Sequence, residues 1–217
     1  MGYTFRSANV MLGTNLYYMH YNNQLILTGQ INDVGAAIMT NVDKSYREGI
    51  ELMTGVRFLK KFNWNGTATI SRNKINNFTE YVEDWDNGGL KTNVTGKTDL
   101  AFAPQLTASS VLSFNPGNKF EISLLSNYVG KQYIDNTASN DRKLNAYLVN
   151  NLKFEYSLSQ RIFKEVKLNL LVNNIFNSEY ESNAWVYSYL YEGKRNKMDG
   201  YFPQAGANFI FSVNVGF

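Results

Sequence analysis

The 217-residue chain has no cysteine, so neither a disulfide framework nor a thiolate metal site can form. It has one histidine, His20, and no nucleophile–base set accompanies it. Any Ser–His or zinc hydrolase chemistry would have to run through that single residue. No apolar run approaches the roughly 18 residues of a transmembrane helix. Charge is scarce: Asp, Glu, Lys and Arg make up 18% of the chain, against about 25% in ordinary soluble domains. The net charge of +3 is no argument for nucleic acid, and no basic run or RNA motif supplies one. The start, Met1 to Asn9, lacks the charged segment and apolar run of a secretory signal peptide.

What the chain does have is aromatics, at 15% with Tyr 15 and Phe 14, and strict alternation. In the last eleven residues, Phe209, Phe211, Val213, Val215 and Phe217 fall on one side of an extended strand. Asn208, Ser212, Asn214 and Gly216 fall on the other, with Ile210 the exception. A period of two marks a strand whose faces meet different surroundings, and a soluble domain rarely ends on its most apolar strand. A tilted strand of about ten residues spans a bilayer's hydrocarbon layer. The mean hydropathy of −0.34 excludes a helical membrane protein but not a barrel, half of whose strand residues are polar.

The same alternation recurs over residues 8–21, 46–58, 64–76, 105–114, 120–131, 144–156 and 166–176. This predicts about eight antiparallel strands in an all-β transmembrane barrel segment. Their connections alternate in length. Short ones fall at 59–63, 115–118, where Asn115-Pro116-Gly117-Asn118 has the residue types of a tight turn, and 157–165. Long loops are expected at 28–45, 77–104, 132–143 and 177–204. Short turns at one end and long loops at the other is the asymmetry of bacterial outer-membrane barrels. Trp64 and Phe120 near short turns, with Tyr18, Tyr128, Tyr180 and Trp185 near long loops, fit two interfacial girdles. The inward set of Asn, Ser, Thr, Lys and Glu fits either a narrow filled barrel or a wide one around a plug.

Several stretches resemble the C-terminal barrel of TonB-dependent receptors, in particular those of Bacteroidetes-type bacteria. Asn173-Asn174-Ile175-Phe176-Asn177-Ser178-Glu179-Tyr180-Glu181 is similar to the N-L-F-D-x-x-Y run leaving the family's penultimate strand. Tyr201-Phe202-Pro203-Gln204-Ala205-Gly206-Ala207 resembles the stretch leading into its last strand, with Ala207 in place of the family's usual Arg. Tyr46-Arg47-Glu48-Gly49-Ile50-Glu51 resembles a mid-barrel strand opening, and Leu16-Tyr17-Tyr18-Met19-His20-Tyr21 resembles another. The four occur in family order across essentially the whole chain. The resemblance implies a barrel of about 22 strands, of which residues 1–217 supply the last eight or so as a C-terminal fragment. The plug, the TonB-contacting segment and the signal peptide would lie upstream, with Met1 a truncation or gene-fragment start.

The implied function is binding and import of a scarce ligand, a ferric siderophore or another iron or cofactor complex, across the bacterial outer membrane with TonB-transmitted energy. The implied partners are outer-membrane lipid, the TonB complex through the plug, the barrel-assembly machinery and the small-molecule ligand. Tyr180, Trp185, Tyr187, Tyr189 and Tyr191 form the candidate ligand-binding loop, since aromatic faces stack on a catecholate, porphyrin or sugar. A girdle with loop self-packing is the plain alternative for them. Phe209, Phe211, Val213, Val215 and Phe217 are the candidate membrane-assembly signal. Glu80, Glu83, Asp84, Asp86 and Asn87 cluster without EF-hand spacing and read as a solvated loop. No cofactor, metal ligand set or catalytic residue is expected. Competing readings are a self-contained eight-stranded anchoring or adhesion barrel and a soluble sugar-binding β-sandwich.

Overall fold

A computed structural model describes residues 1–32, 34, 36–158 and 163–216. The principal sheet runs in chain order through nine antiparallel strands, with a tenth, Thr98–Asp99, paired to one of them off that path. The nine are β1 (Gly2–Arg6), β2 (Val10–Ile31), β3 (Ala37–Phe58), β4 (Phe62–Asn76), β8 (Leu106–Gly117), β9 (Phe120–Val129), β12 (Tyr147–Leu158), β13 (Glu165–Asn173) and β16 (Asn208–Gly216). β1 and β16 are its two edges. The intervening segments form β5 (Thr79–Asp84), β6 (Leu90–Val94), β7 (Thr98–Asp99), β10 (Gln132–Tyr133), β11 (Lys143–Leu144), β14 (Glu181–Tyr191) and β15 (Lys194–Pro203).

Every stretch predicted to alternate lies mainly within the principal sheet, and pairing register aligns the alternation from strand to strand. Val215, Val213, Phe211 and Phe209 sit opposite Val166, Leu168, Leu170 and Val172. Leu170 continues to Phe154, Ile122, Phe114, Phe62 and Phe58. Near the short turns, Phe58 stacks on Phe62 at 5.3 Å and Phe62 on Phe114 at 4.6 Å. The wall therefore has one continuous apolar face, and most of its large side chains are exposed. A contiguous apolar surface of this extent marks contact with something other than water. The opposite face carries a polar lattice. Asn15 donates to Glu51 at 2.9 Å, Ser113 and Ser123 share a hydrogen bond of 2.7 Å, and Asn173 donates to Asn208 at 2.9 Å.

Three expected loops are instead mostly strand. The 28–45 loop contracts to a short tip between β2 and β3, each 22 residues long. At about 3.3 Å per residue, each is twice what a membrane crossing needs. The alternation changes phase at Asn23, whose φ is 57°. A left-handed residue interrupts the strict side-to-side alternation of an extended chain. Beyond it Ile26 and Thr28 are buried, whereas Leu16 and Tyr18, also even-numbered, are exposed. Residues 77–100 hold the β5–β6 hairpin, and 177–204 the β14–β15 hairpin. These two join through a parallel β5–β14 pairing in a four-stranded sheet, ordered β15-β14-β5-β6. β1 carries no prior expectation, because its five residues are too short to show a period.

The fully packed interior lies at the long-loop end. Ile26, Val42, Ile75, Phe78 and Leu100 form one cluster, and Ile134, Leu144 and Ala184 another. A cap of hairpins thus carries the hydrophobic cores, and the wall carries an apolar exterior. Of the expected short connections, 59–63 is the turn Leu59–Lys61 and 115–118 tightens to Asn118–Lys119. Residues 159–162 of the expected 157–165 connection, like Phe217 at the chain's end, fall outside the described residues.

Candidate ligand-binding hairpin sheet and strand-exit motif

Trp185, Tyr187, Tyr189 and Tyr191 are spaced by two on β14, so they share one face. The turn after them is a two-residue hairpin, Glu192-Gly193, with φ of 52° and 66°. Positive φ at both central positions is the type that matches strand twist. Asp86 closes it from the neighbouring hairpin, accepting from the backbone N–H of Glu192 at 2.7 Å and of Gly193 at 2.8 Å. Asp84 accepts from the N–H groups of Asp86 and Asn87, both at 3.1 Å. Its carboxyl is held below its usual value first by the Asn87 side chain and then by the Asn87 backbone. The acidic stretch is therefore not one solvated loop: Asp84 and Asp86 brace turns, whereas Glu80 is buried and Glu83 accepts from Tyr187 and Trp85.

The aromatic face divides into engaged and available rings. Tyr187 is only 8% exposed and its hydroxyl donates to Glu83. Burial, then that hydrogen bond and the Glu83 charge, push the phenol up to about 12. Tyr189 stacks on Trp85 with centroids 4.0 Å apart. Trp185 lies against Gly200, where a Cβ would fall 2.3 Å from the indole nitrogen. Trp185 (46%), Tyr191 (49%) and Trp85 (52%) keep about half their surface exposed. Tyr180 is apart from this row, tilted against Tyr147 of the wall at 4.4 Å. Trp85 is the residue sequence reasoning missed. It lies just beyond β5 in a polar segment, and only the parallel β5–β14 pairing brings it to the row.

Behind the sheet is a cluster of buried charges. Arg142 donates to Glu80 at 3.0 Å and to Asp135 at 2.7 Å, and Arg195 also donates to Glu80 at 3.0 Å. These residues come from β5, the β10–β11 segment and β15. Burial raises the Glu80 carboxyl, but hydrogen bonds from Arg195 and Arg142 outweigh it and leave the group below its ordinary value. Such a cluster fixes geometry more than it adds stability.

The 173–181 stretch proves to be a splice between strands. Asn174 and Asn177 both take left-handed φ, 48° and 50°, a conformation asparagine tolerates better than most residues. Asn174 is 2% exposed. Its side chain donates to the carbonyls of Ser178 (2.9 Å) and Ala205 (3.3 Å) and accepts from the Ser178 N–H (2.9 Å). Asn177 accepts from the Ala207 N–H at 2.9 Å, and a Cβ on Gly206 would meet its Oδ1 at 2.5 Å. The motif therefore joins the end of β13 to the start of β16 across the inserted hairpin. His20 is a rim residue whose ring approaches Asn22 at 3.3 Å.

A wall apolar outside and polar inside, strands overrunning a bilayer, and this splice have a counterpart among known families. Residues 1–175 match the family described as TonB dependent receptor-like, beta-barrel. The chain belongs to that family. Members of the family are outer-membrane transport receptors, not enzymes. Among solved structures, the ferric-catecholate import receptor Fiu from E. coli K12 superposes with a TM-score of 0.64 at 16% identity, over 100% of this chain and 27% of that one. The siderophore receptor PiuA from Acinetobacter baumannii gives 0.66 at 16%, over 99% and 27%. The copper transporter OprC gives 0.66 at 17%, over 98% and 30%. The chain thus spans under a third of the solved receptors it matches. A search of curated proteins finds no match.

Proposed function

We propose that residues 1–217 form part of the barrel wall and the extracellular cap of a TonB-dependent receptor in the bacterial outer membrane. Its ligand is a scarce metal chelate, most simply a ferric siderophore, imported with energy passed through a plug domain. The apolar face meets outer-membrane lipid, and the polar face lines the lumen. The stripe Phe209, Phe211, Val213 and Val215, continued in sequence by Phe217, presents the strand to the barrel-assembly machinery. The solved neighbours' own cargoes, catecholate and other siderophores and copper, support a metal complex as the ligand class.

The observation that carries the reading is the half-exposed row Trp85, Trp185 and Tyr191 on a sheet braced from behind by buried charges. Flat, conjugated faces on a rigid support suit the flat rings of a catecholate chelate. Lys194, opposite Tyr191 in the β14–β15 pairing, offers a cation to an anionic one. Tyr187 and Tyr189 hold the row in place, and Tyr180 anchors the hairpin to the wall.

The test is a Trp85→Ala/Trp185→Ala/Tyr191→Ala variant of the full receptor, assayed for ferric catecholate binding and uptake. At about 0.5–1.5 kcal/mol for each aromatic contact, affinity falls by at least about tenfold at equal surface expression. Undiminished affinity with a protease-resistant cap would remove these residues from the binding site.

A further inference from the structure

β14 has two faces with different neighbours. Tyr187 and Tyr189 point to the aromatic row, and Ser188 between them points to the opposite side. There it is buried, at 8% exposure, and borders a small, largely enclosed cavity inside the cap. The other polar walls are Thr28 of β2, Glu80 of β5, and Asp135, Thr137 and Arg142 of the β10–β11 segment. Phe78 and Val186 add apolar surface. The cavity leaves about 10 Å³ open to the centre of a water molecule, which is room for one water and nothing larger.

Most polar atoms on these walls have protein partners. Both Glu80 oxygens accept from Arg195, and Arg142 Nη1 donates to Glu80 and Asp135. Asp135 also accepts from the backbone N–H and the hydroxyl of Thr137. Two atoms differ. Among the described residues, Arg142 Nε and Ser188 Oγ are buried without a hydrogen-bond partner, and Arg142 as a whole is 4% exposed. Such groups are rare in folded proteins, because an unmet buried donor carries its full desolvation cost. Both residues border the same cavity, so one occupant can satisfy both. The Nε–H can only donate, whereas the hydroxyl donates or accepts. The hydroxyls of Thr28 and Thr137 accept from the backbone N–H groups of Gln30 and Ser139, and each keeps a second lone pair.

We propose that this cavity is a binding site for one ordered water, which accepts from the Arg142 Nε–H and bonds to the Ser188 hydroxyl. Charge and size select the occupant. An anion would lie against the carboxylates of Glu80 and Asp135, and a cation against the Arg142 guanidinium. A neutral molecule that both donates and accepts fits, and only water is small enough. With Thr28 or Thr137 as a third partner, it has the two to four polar contacts typical of a buried water. The water ties the rear of β14 to the charge cluster, directly behind the strand residues that carry the aromatic row. The site stands whatever ligand the cap takes, so the water and the proposed ligand row fail separately.

The test is a crystal structure of the full receptor in which buried waters are visible elsewhere in the cap. The expected result is one water peak within hydrogen-bonding distance of both Arg142 Nε and Ser188 Oγ. A cavity without that peak, or a direct bond from Arg142 Nε to another protein group, overturns the proposal. Hydrogen exchange of the β14 amides, read against the β9 amides of the wall, tests it in solution. Ser188→Val removes the hydroxyl and fills the space with methyl groups. In a dry cavity the added packing would slow exchange. In a wet one valine expels the water and leaves the Arg142 Nε–H unmet, so exchange through local opening quickens by about fivefold or more. Ser188→Ala leaves room for the water and falls between parent and valine. Valine exchanging no faster than the parent, or alanine as fast as valine, overturns the proposal.

Discussion

Asn174 is the position where removing one side chain should cost most for the fewest atoms lost. It is buried, its side chain makes three hydrogen bonds to Ser178 and Ala205, and its backbone is left-handed. Each such bond is worth about 0.5–1.5 kcal/mol net, which gives about 1.5–4.5 kcal/mol for the set. The conformational part is separable. Asn174→Gly removes the side chain while leaving φ of 48° unstrained, so it reports the hydrogen bonds together with the roughly 0.5–1 kcal/mol of unfolded-chain freedom that glycine adds. Asn174→Ala removes the same bonds and also forces a β-carbon into the left-handed region, adding about 1–2 kcal/mol. The assay is denaturant unfolding of the full receptor in lipid vesicles, followed by the gel mobility difference between folded and unfolded barrel. Both variants should unfold at lower denaturant than the parent, with alanine below glycine. A glycine variant as stable as the parent would refute the splice role. Alanine equal to glycine would refute the backbone argument.

Three further outcomes follow from other parts of the structure. Arg142→Met leaves Asp135 buried beside a neutral side chain. At about 3–5 kcal/mol for breaking a buried pair, the cap hairpins should become protease-sensitive while the wall stays folded, and unchanged cleavage would contradict this. Tyr187→Phe should abolish a phenol that ionises near 12. Because the folded value is raised, its stabilising contribution is complete below the ordinary value of 10 and is lost as the pH rises through about 12. A phenolate absorbance titration that shows no late-titrating group in the parent counts against the Glu83 bond. Phe211→Arg puts a cation on the lipid side of β16, which costs about 2–4 kcal/mol at mid-membrane and should deplete assembled receptor in outer-membrane fractions. Normal levels would mean this face does not meet lipid.

The wall was legible because two surroundings impose a period of two, and Phe209 to Val215 show it residue by residue. The cap was not, because it has ordinary cores in which the period is broken or hidden. Leu25-Ile26-Leu27 reads as continuous apolar sequence, yet Ile26 alone of the three is in the core. The left-handed Asn23 that shifts the phase looks in sequence like any turn residue. In the 177–204 stretch, a full hairpin passes for a loop because Gly193 and Gly200 look like loop punctuation. One closes the turn, and the other makes room for Trp185. The aromatics of β14 were visible in sequence as a crowded loop, but their place on one strand face and their division into engaged and available rings depended on Glu83 and Trp85, about a hundred residues away. The 173–181 motif announced itself as a resemblance. Its cause lies in two left-handed asparagines that no alternation pattern reports.

The Glu80–Arg142–Asp135–Arg195 cluster also has a mechanical meaning. It fastens side chains from three separate excursions of the backbone to one point, so those excursions move as a single body. A ligand that closes this cap would not bend one hairpin while its neighbours stay still. The displacement has to be taken up lower, where backbone torsions can change without breaking a buried charge pair. The left-handed Asn23, Asn77 and Asn174 stand where strands leave the wall for the cap, which makes them the joints of such a movement.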